Sequence, residues 1–201
     1  MGAVETWMID MAYVQVGKAL DLPTNTYLGL SDAKIVDAQC GLEAAGGIFM
    51  AFLCGVNMVS SPGMLNFESA QSLEKVVIDA DIIGMGRRLV AGIEAREEPI
   101  ALTLMREMGH NAEYLADPHT HRWFRHELFF PSDVIDRSTL EEWEHAGAKS
   151  AFERATERVE KLVGTYRQPP LPDVARRELE RITLRAARPF GMDALPPLAA
   201  G

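Results

Sequence analysis

The stretch from Tyr27 to Gly41 reads Y-L-G-L-S-D-A-K-I-V-D-A-Q-C-G and joins three kinds of local structure. Thr26, Tyr27 and Leu28 favour extended backbone, so Asn25 to Leu30 is read as a strand, entered after Leu22-Pro23 breaks what precedes it. Ser31 to Lys34 is a polar loop. Asp37 then stands where a helix N-cap belongs, ahead of a helix from about Ala38 to Leu53. Gly41, Ala44, Ala45, Gly46, Gly47 and Ala51 give that helix a small-residue surface on which another backbone can pack closely.

Working outward, Met8, Met11, Ala12, Val16 and Leu20 recur at helical spacing and predict an amphipathic helix over residues 5–20. On the other side, Val56 to Ser60 is uncharged, as a strand buried on both faces of a parallel sheet would be. The loop S-P-G-M-L-N-F-E-S follows, and Gln71 to Ile93 predicts a long helix with Val76, Val77, Ile83, Leu89, Val90 and Ile93 as its apolar positions. Alternating helices and buried strands argue for a parallel α/β architecture. Only two strands can be read, whereas a closed α/β barrel has eight, and two parallel strands leave their outer edges uncovered.

The rest reads as helix. Pro99 to Met108 is one short helix, and Ser138-Thr139-Leu140-Glu141 reads as a capping box opening a long one. Phe152, Ala155, Val159, Leu162 and Tyr166 give that helix one packing face, and it ends before Pro169-Pro170. A last helix starts near Asp173, carries Leu179, Ile182 and Ala186 on one side, and closes at Pro189. The expected division is residues 1–97, an α/β part carrying the polar loop, and residues 98–201, a helical part packing on it.

The chain has 201 residues, 47% hydrophobic and 24% charged, a composition that supports a packed core. Net charge is −9, and basic residues are interspersed with acidic ones, as in E-A-R-E-E (94–98) and E-R-A-T-E-R-V-E-K (153–161). Such runs are solvated helix surface, and a nucleic-acid partner is not expected. No charge occurs from Ala44 to Phe67, but Gly55, Asn57 and Ser60 to Gly63 interrupt the run, so a buried helix and strand are expected rather than a membrane span. The start, M-G-A-V-E-T-W-M-I-D-M, lacks the basic region of a signal peptide, and a cytoplasmic location is expected. Cys40 and Cys54 would lie about 21 Å apart along one helix, too far for a disulfide.

In parallel α/β folds the chemistry sits in the loops that follow strands. Asp32, Lys34 and Asp37, with Gln39 and Glu43 in the next helix, occupy one such place. A carboxylate there can neutralise a cation and Tyr27 can stack on one, while Asp37 reads equally well as a cap alone and Lys34 as solvated. His110, His119, His121 and His126 have no cysteine and no evident fourth partner at ligand spacing, so no metal is expected. Gly84-Met85-Gly86 lacks the third glycine of a nucleotide loop.

L-S-D-A-K-I-V-D-A-Q-C-G-L-E (Leu30 to Glu43) resembles the trimethylamine methyltransferase family, whose pattern X-S-D-A-K-x-x-D-x-Q-A-G-x-E has pyrrolysine at X in amine-demethylating members. Two further blocks carry the resemblance: Gly55-Val56-Asn57 with Gly63-Met64-Leu65 and Val77-Ile78-Asp79, and W-E-H-A-G-A-K-S-A-F-E-R-A-T-E-R-V from Trp143 to Val159. The resemblance implies an α/β fold, the C-terminal portion of a TIM-type (β/α)8 barrel of about two βα units followed by a helical extension. It implies transfer of a methyl group from a methylated amine to the cobalt of a corrinoid carried on a separate protein, with no cofactor held tightly by this chain. Leu30 (the pyrrolysine position), Asp32 and Asp37 then fall at catalytic positions, and Tyr27, Gln39, Glu43, Gly63 and Met64 around the substrate.

Family members without pyrrolysine include demethylases of betaine-like compounds, and Leu30 therefore points to a quaternary amine, whose nitrogen leaves neutral once its methyl is attacked. Cys40 replaces the usual alanine, Ser61-Pro62 alters the loop before Gly63, and the first five or so strands have no counterpart here. The expected partners are a corrinoid protein and either a barrel-completing chain or further copies of this one. A non-catalytic fragment or assembly partner is the alternative.

Overall fold

The computed structural model describes residues 1–96, 101–111, 113–167 and 169–196. Helix α1 spans Val4–Ala19, strand β1 Asn25–Thr26, helix α2 Ala38–Leu53 and strand β2 Met58–Val59. Strands β1 and β2 are parallel, with Asn25 opposite Met58 and Thr26 opposite Val59, so β1–α2–β2 is a single parallel crossover unit. Strands β3 (Met64–Leu65) and β4 (Ala70–Gln71) pair antiparallel, and helix α3 follows over Leu73–Ala91.

The sequence-based strands shrink to two residues each. Beyond Thr26 the chain turns at Leu28 and Gly29, and beyond Val59 it enters the Ser61-Pro62-Gly63 turn, where Ser61 and Gly63 have φ of 77° and 87°. The S-P-G-M-L-N-F-E-S segment is not a plain loop, because β3 lies within it. The sheet is also buried on one face only among the described residues. Thr26 and Leu28 are buried, whereas Tyr27 is 49% and Met58 62% exposed.

Small residues set the distance between α2 and the strand. At Gly47 a Cβ would come within 2.1 Å of the Leu28 carbonyl oxygen, so that backbone contact requires glycine. Ala44 and Ile48 of α2 pack with Ile82 of α3, joined by Phe49, Phe52, Ile78 and Ile83. Helix α1 turns a different face inward than its apolar spacing predicts. Val14 is fully buried and Trp7 packs over Gly46, whereas Met8, Val16 and Leu20 are exposed. Large apolar side chains are left in the open, with Ile35, Leu42 and Leu53 among them.

After α3 come α4 (Leu102–Met108), two 3-10 turns, α5 (Pro118–Glu127), α6 (Leu140–His145), α7 (Ala151–Thr165) and α8 (Asp173–Ala187). The helix expected from Pro99 is described from Leu102 onward, and Pro99 lies outside the described residues, as does the expected boundary at residues 97 and 98. The capping box is formed by Thr139 and Glu142 rather than Ser138 and Glu141, and it opens only the short α6. Gly147 and Ala148, with φ of 98° and 53°, interrupt the helix. Ser150 and Glu153 then exchange hydrogen bonds in a second reciprocal cap that opens α7. Of α7's expected packing face, only Ala155 is buried.

Contacts divide the chain into Met1–Gly164 and Thr165–Gly201. Within the first unit, Arg88 binds Glu127 and Asp81 takes both the amide and hydroxyl of Ser132, fastening α3 to the segments after it. In the second unit α8 has no buried residue, and Leu179 and Ile182 stand exposed. Among the described residues no helix is long and apolar enough to cross a membrane. Cys40 and Cys54 are free thiols, and burial pushes the Cys40 thiol up to about 11.

Candidate functional site

The loop after β1 is organised around Glu43. Its Oε2 accepts from the Ser31 hydroxyl at 2.7 Å and from the Asp32 amide at 2.7 Å, while Oε1 accepts from Gln39 Nε2 at 2.8 Å. Burial raises the Glu43 carboxyl, but these three donors outweigh it and hold the group below its ordinary range. Ser31 is fully buried, and its Oγ also accepts from the Ala33 amide at 3.0 Å. Glu43 is thus a brace for the loop's backbone, with its carboxylate already engaged by neighbouring donors.

Asp32 is partly buried, its side chain 17% exposed. Its two oxygens accept from the Met1 amino group at 2.9 and 2.7 Å, and Oδ2 also accepts from the Gly2 amide at 2.9 Å. Lys34 Nζ donates to the Asp32 carbonyl at 2.8 Å and lies 4.7 Å over the Phe67 ring. Asp37 caps α2, accepting from the Cys40 amide at 3.2 Å. Leu30 is 2% exposed and belongs to the core.

The second loop is tied to the first. Ser31 N–H donates to the Met64 carbonyl at 3.1 Å, and Asn66 N–H donates to the Ala33 carbonyl at 3.0 Å. Gly63 donates to Asp79 Oδ2 at 2.7 Å. Asp32, Gln39, Glu43, Gly63 and Met64 therefore share one hydrogen-bonded neighbourhood, and Leu30 adjoins it through Ser31. Tyr27 keeps different company. Burial, then the nearby Asp10 carboxylate and the Tyr27 phenol, raise the Tyr13 phenol, and the Asp10 carboxylate rests against the Tyr27 backbone. Tyr13 also donates its hydroxyl hydrogen to the Asn25 carbonyl. Side chains of α1 thereby occupy the edge of β1 opposite β2.

Two residues of this neighbourhood carry no role in the sequence reading. Lys75 and Asp79 form an ion pair at 0% and 1% side-chain exposure, and Lys75 Nζ also donates to the Gly29 carbonyl at 3.0 Å. Burial pushes the Asp79 carboxyl up, against the pull of Lys75 and the Gly63 amide. The signal was present as a Lys and an Asp four apart among apolar residues in E-K-V-V-I-D. Among the described residues no cluster of three or more histidine, cysteine, aspartate or glutamate side chains could hold a metal ion.

The model of the family described as Trimethylamine methyltransferase (MTTB) matches residues 1–190. The trimethylamine methyltransferase MttB of Desulfitobacterium hafniense is 27% identical over 192 residues, which is 96% of this chain and 38% of that protein. The trimethylamine methyltransferase MttB2 of Methanosarcina mazei is 29% identical over 94% of this chain and 38% of its own length. A glycine betaine methyltransferase from another strain of Desulfitobacterium hafniense is 30% identical over 85% of this chain and 36% of its own length. The chain spans under two-fifths of the length of these relatives. With 190 of its residues matched in a single run, the chain belongs to the trimethylamine methyltransferase family.

Proposed function

We propose that this chain contributes the substrate loop of a methyltransferase that moves a methyl group from a methylated amine, preferentially a quaternary amine such as a betaine, to the cobalt of a corrinoid protein. The observation that carries this reading is Leu30. An apolar, buried side chain occupies the position at which amine-demethylating members of the family hold pyrrolysine. A quaternary ammonium already carries a neutral amine as its leaving group, so its methyl can be attacked without a residue that activates the nitrogen. The work left to the protein is to bind the cation, orient one methyl toward the acceptor and exclude water.

Asp32 is the carboxylate suited to the cation, since it lies in this loop and is only partly buried, and Tyr27 offers a half-exposed aromatic face. Glu43, Gln39 and Ser31 hold the Asp32 backbone in place. The corrinoid is a substrate presented by its own protein. The parallel β1–α2–β2 unit and the uncovered face carrying Tyr27 and Met58 support a place within a larger α/β barrel, completed by another polypeptide or by more of the same one.

Calorimetric titration with glycine betaine tests the cation site. Binding is expected, and Tyr27→Ala and Asp32→Ala should each weaken it at least about tenfold; undiminished binding in either removes that residue from the site. Co-purification with mass measurement should recover a barrel-completing chain or a corrinoid protein. A self-contained oligomer that binds no amine would instead favour a non-catalytic assembly role.

A further inference from the structure

Helix α3 places a lysine and an aspartate where its packing face calls for apolar side chains. Lys75 and Asp79 are 0% and 1% exposed, and an apolar pair of similar volume would hold the helix at least as well, because two desolvated ions recover little net stability from each other. What an apolar pair could not do is reach the two loops. Lys75 Nζ donates to the Gly29 carbonyl at 3.0 Å, the carbonyl immediately before Leu30. Asp79 Oδ2 accepts from Lys75 and from the Gly63 amide, the amide immediately before Met64. Asp79 Oδ1 is buried with no hydrogen-bond partner among the described residues, so the carboxylate's bonding is directed wholly through its other oxygen.

We propose that Lys75 and Asp79 are positioning residues for the candidate site, a buried ionic clamp that sets the Gly29–Ser31 segment in register with Gly63 and Met64. The inference rests on the reading that these two loops carry the methyl-transfer site. Both anchors are backbone groups, so the clamp acts on loop geometry whatever side chains the loops carry. Its effect passes onward through the Ser31 amide, which binds the Met64 carbonyl, and the Ser31 hydroxyl, which binds Glu43 and thereby the Asp32 amide. The position of Asp32 thus depends on an ion pair it does not touch.

The test compares the full chain with Lys75→Met/Asp79→Leu, which removes both charges together and leaves no ion buried alone. Amide hydrogen exchange is read at Ser31 and Asp32, whose own partners the substitutions leave intact, against Ile48 inside α2. Exchange at Ser31 and Asp32 should rise at least about tenfold while Ile48 stays within about twofold. Unchanged protection at Ser31 and Asp32, or an equal rise at Ile48, would overturn the clamp and leave a pair that only supports global stability. Should the double variant not fold, native-state exchange of the unaltered chain in rising urea decides the same point. Ser31 and Gly63 should then open in one step with one urea dependence, and separate openings would refute the proposal. A parallel titration with glycine betaine should show the double variant binding at least about tenfold more weakly. If the unaltered chain binds no betaine, the functional reading fails, while exchange still decides for or against the clamp.

Discussion

Helices α3 and α8 both carry cation–carboxylate pairs at helical spacing, in opposite surroundings. In α3, Lys75 and Asp79 are sealed from water and reach two loops distant in sequence. In α8, Arg176 pairs with Asp173 and Glu180, and Arg181 with Glu178, all at 50–73% exposure and within the helix itself. Water screens the α8 pairs and competes for their hydrogen bonds, so they give the helix solubility and little else. Burial makes the α3 pair costly to form and costlier to break, which ties its geometry to the tertiary structure. The same spacing in sequence therefore means surface in one helix and architecture in the other.

Several substitutions can break or sharpen this contrast. Lys75→Met leaves the Asp79 carboxylate buried without its counter-ion and should lower the unfolding free energy by about 3–5 kcal/mol in urea denaturation, with much of that loss recovered when Asp79→Leu is added. Recovery is the sharper result, since it separates the cost of a lone charge from any worth of the pair. Gly47→Ala forces a methyl group against the Leu28 carbonyl and should cost about 1–3 kcal/mol, whereas Gly41→Ala, with open space around it, should be neutral or stabilising. Thr139→Ala removes one half of the α6 capping box and should cost about 1 kcal/mol, read as a local loss of exchange protection.

Glu43 supplies a smaller, pH-dependent difference. Its folded carboxyl titrates below its ordinary value of 4.5, so its contribution is present above that pH and lost as pH falls through the folded value. Glu43→Gln should flatten the acid limb of the stability curve there. At the bottom of the scale, Arg181→Ala should leave the thermal midpoint unmoved, and a measurable fall would show that α8 is held by more than its surface.

Much of the site's neighbourhood was legible because local chemistry decided it. Asp37 caps α2 as its position predicts, and α2 runs from Ala38 to Leu53 as read. The strands were overestimated because Tyr27 to Leu30 has β-favouring residues but leaves the sheet at the Leu28–Gly29 turn. The inward face of α1 was misread for a related reason. Apolar spacing nominated Met8 and Val16, but contact with Gly46 through Trp7 and the burial of Val14 selected another stripe. The long helix expected from residue 138 divides at Gly147, where positive φ at that glycine and at Ala148 ends one helix before Ser150 caps the next.

The sequence by itself determined the family, the succession from α1 through β1, α2 and β2 to α3, and the loop in which Leu30 and Asp32 lie, because caps, periodicity and residue type act over a few positions. Only the tertiary structure decided that Glu43 braces the loop through Ser31 and the Asp32 amide, that Tyr27 keeps company with Asp10 and Tyr13, and that Lys75 and Asp79 join Gly29 to Gly63. Those assignments depend on which groups lose water together, and that is settled only when segments far apart in the chain pack.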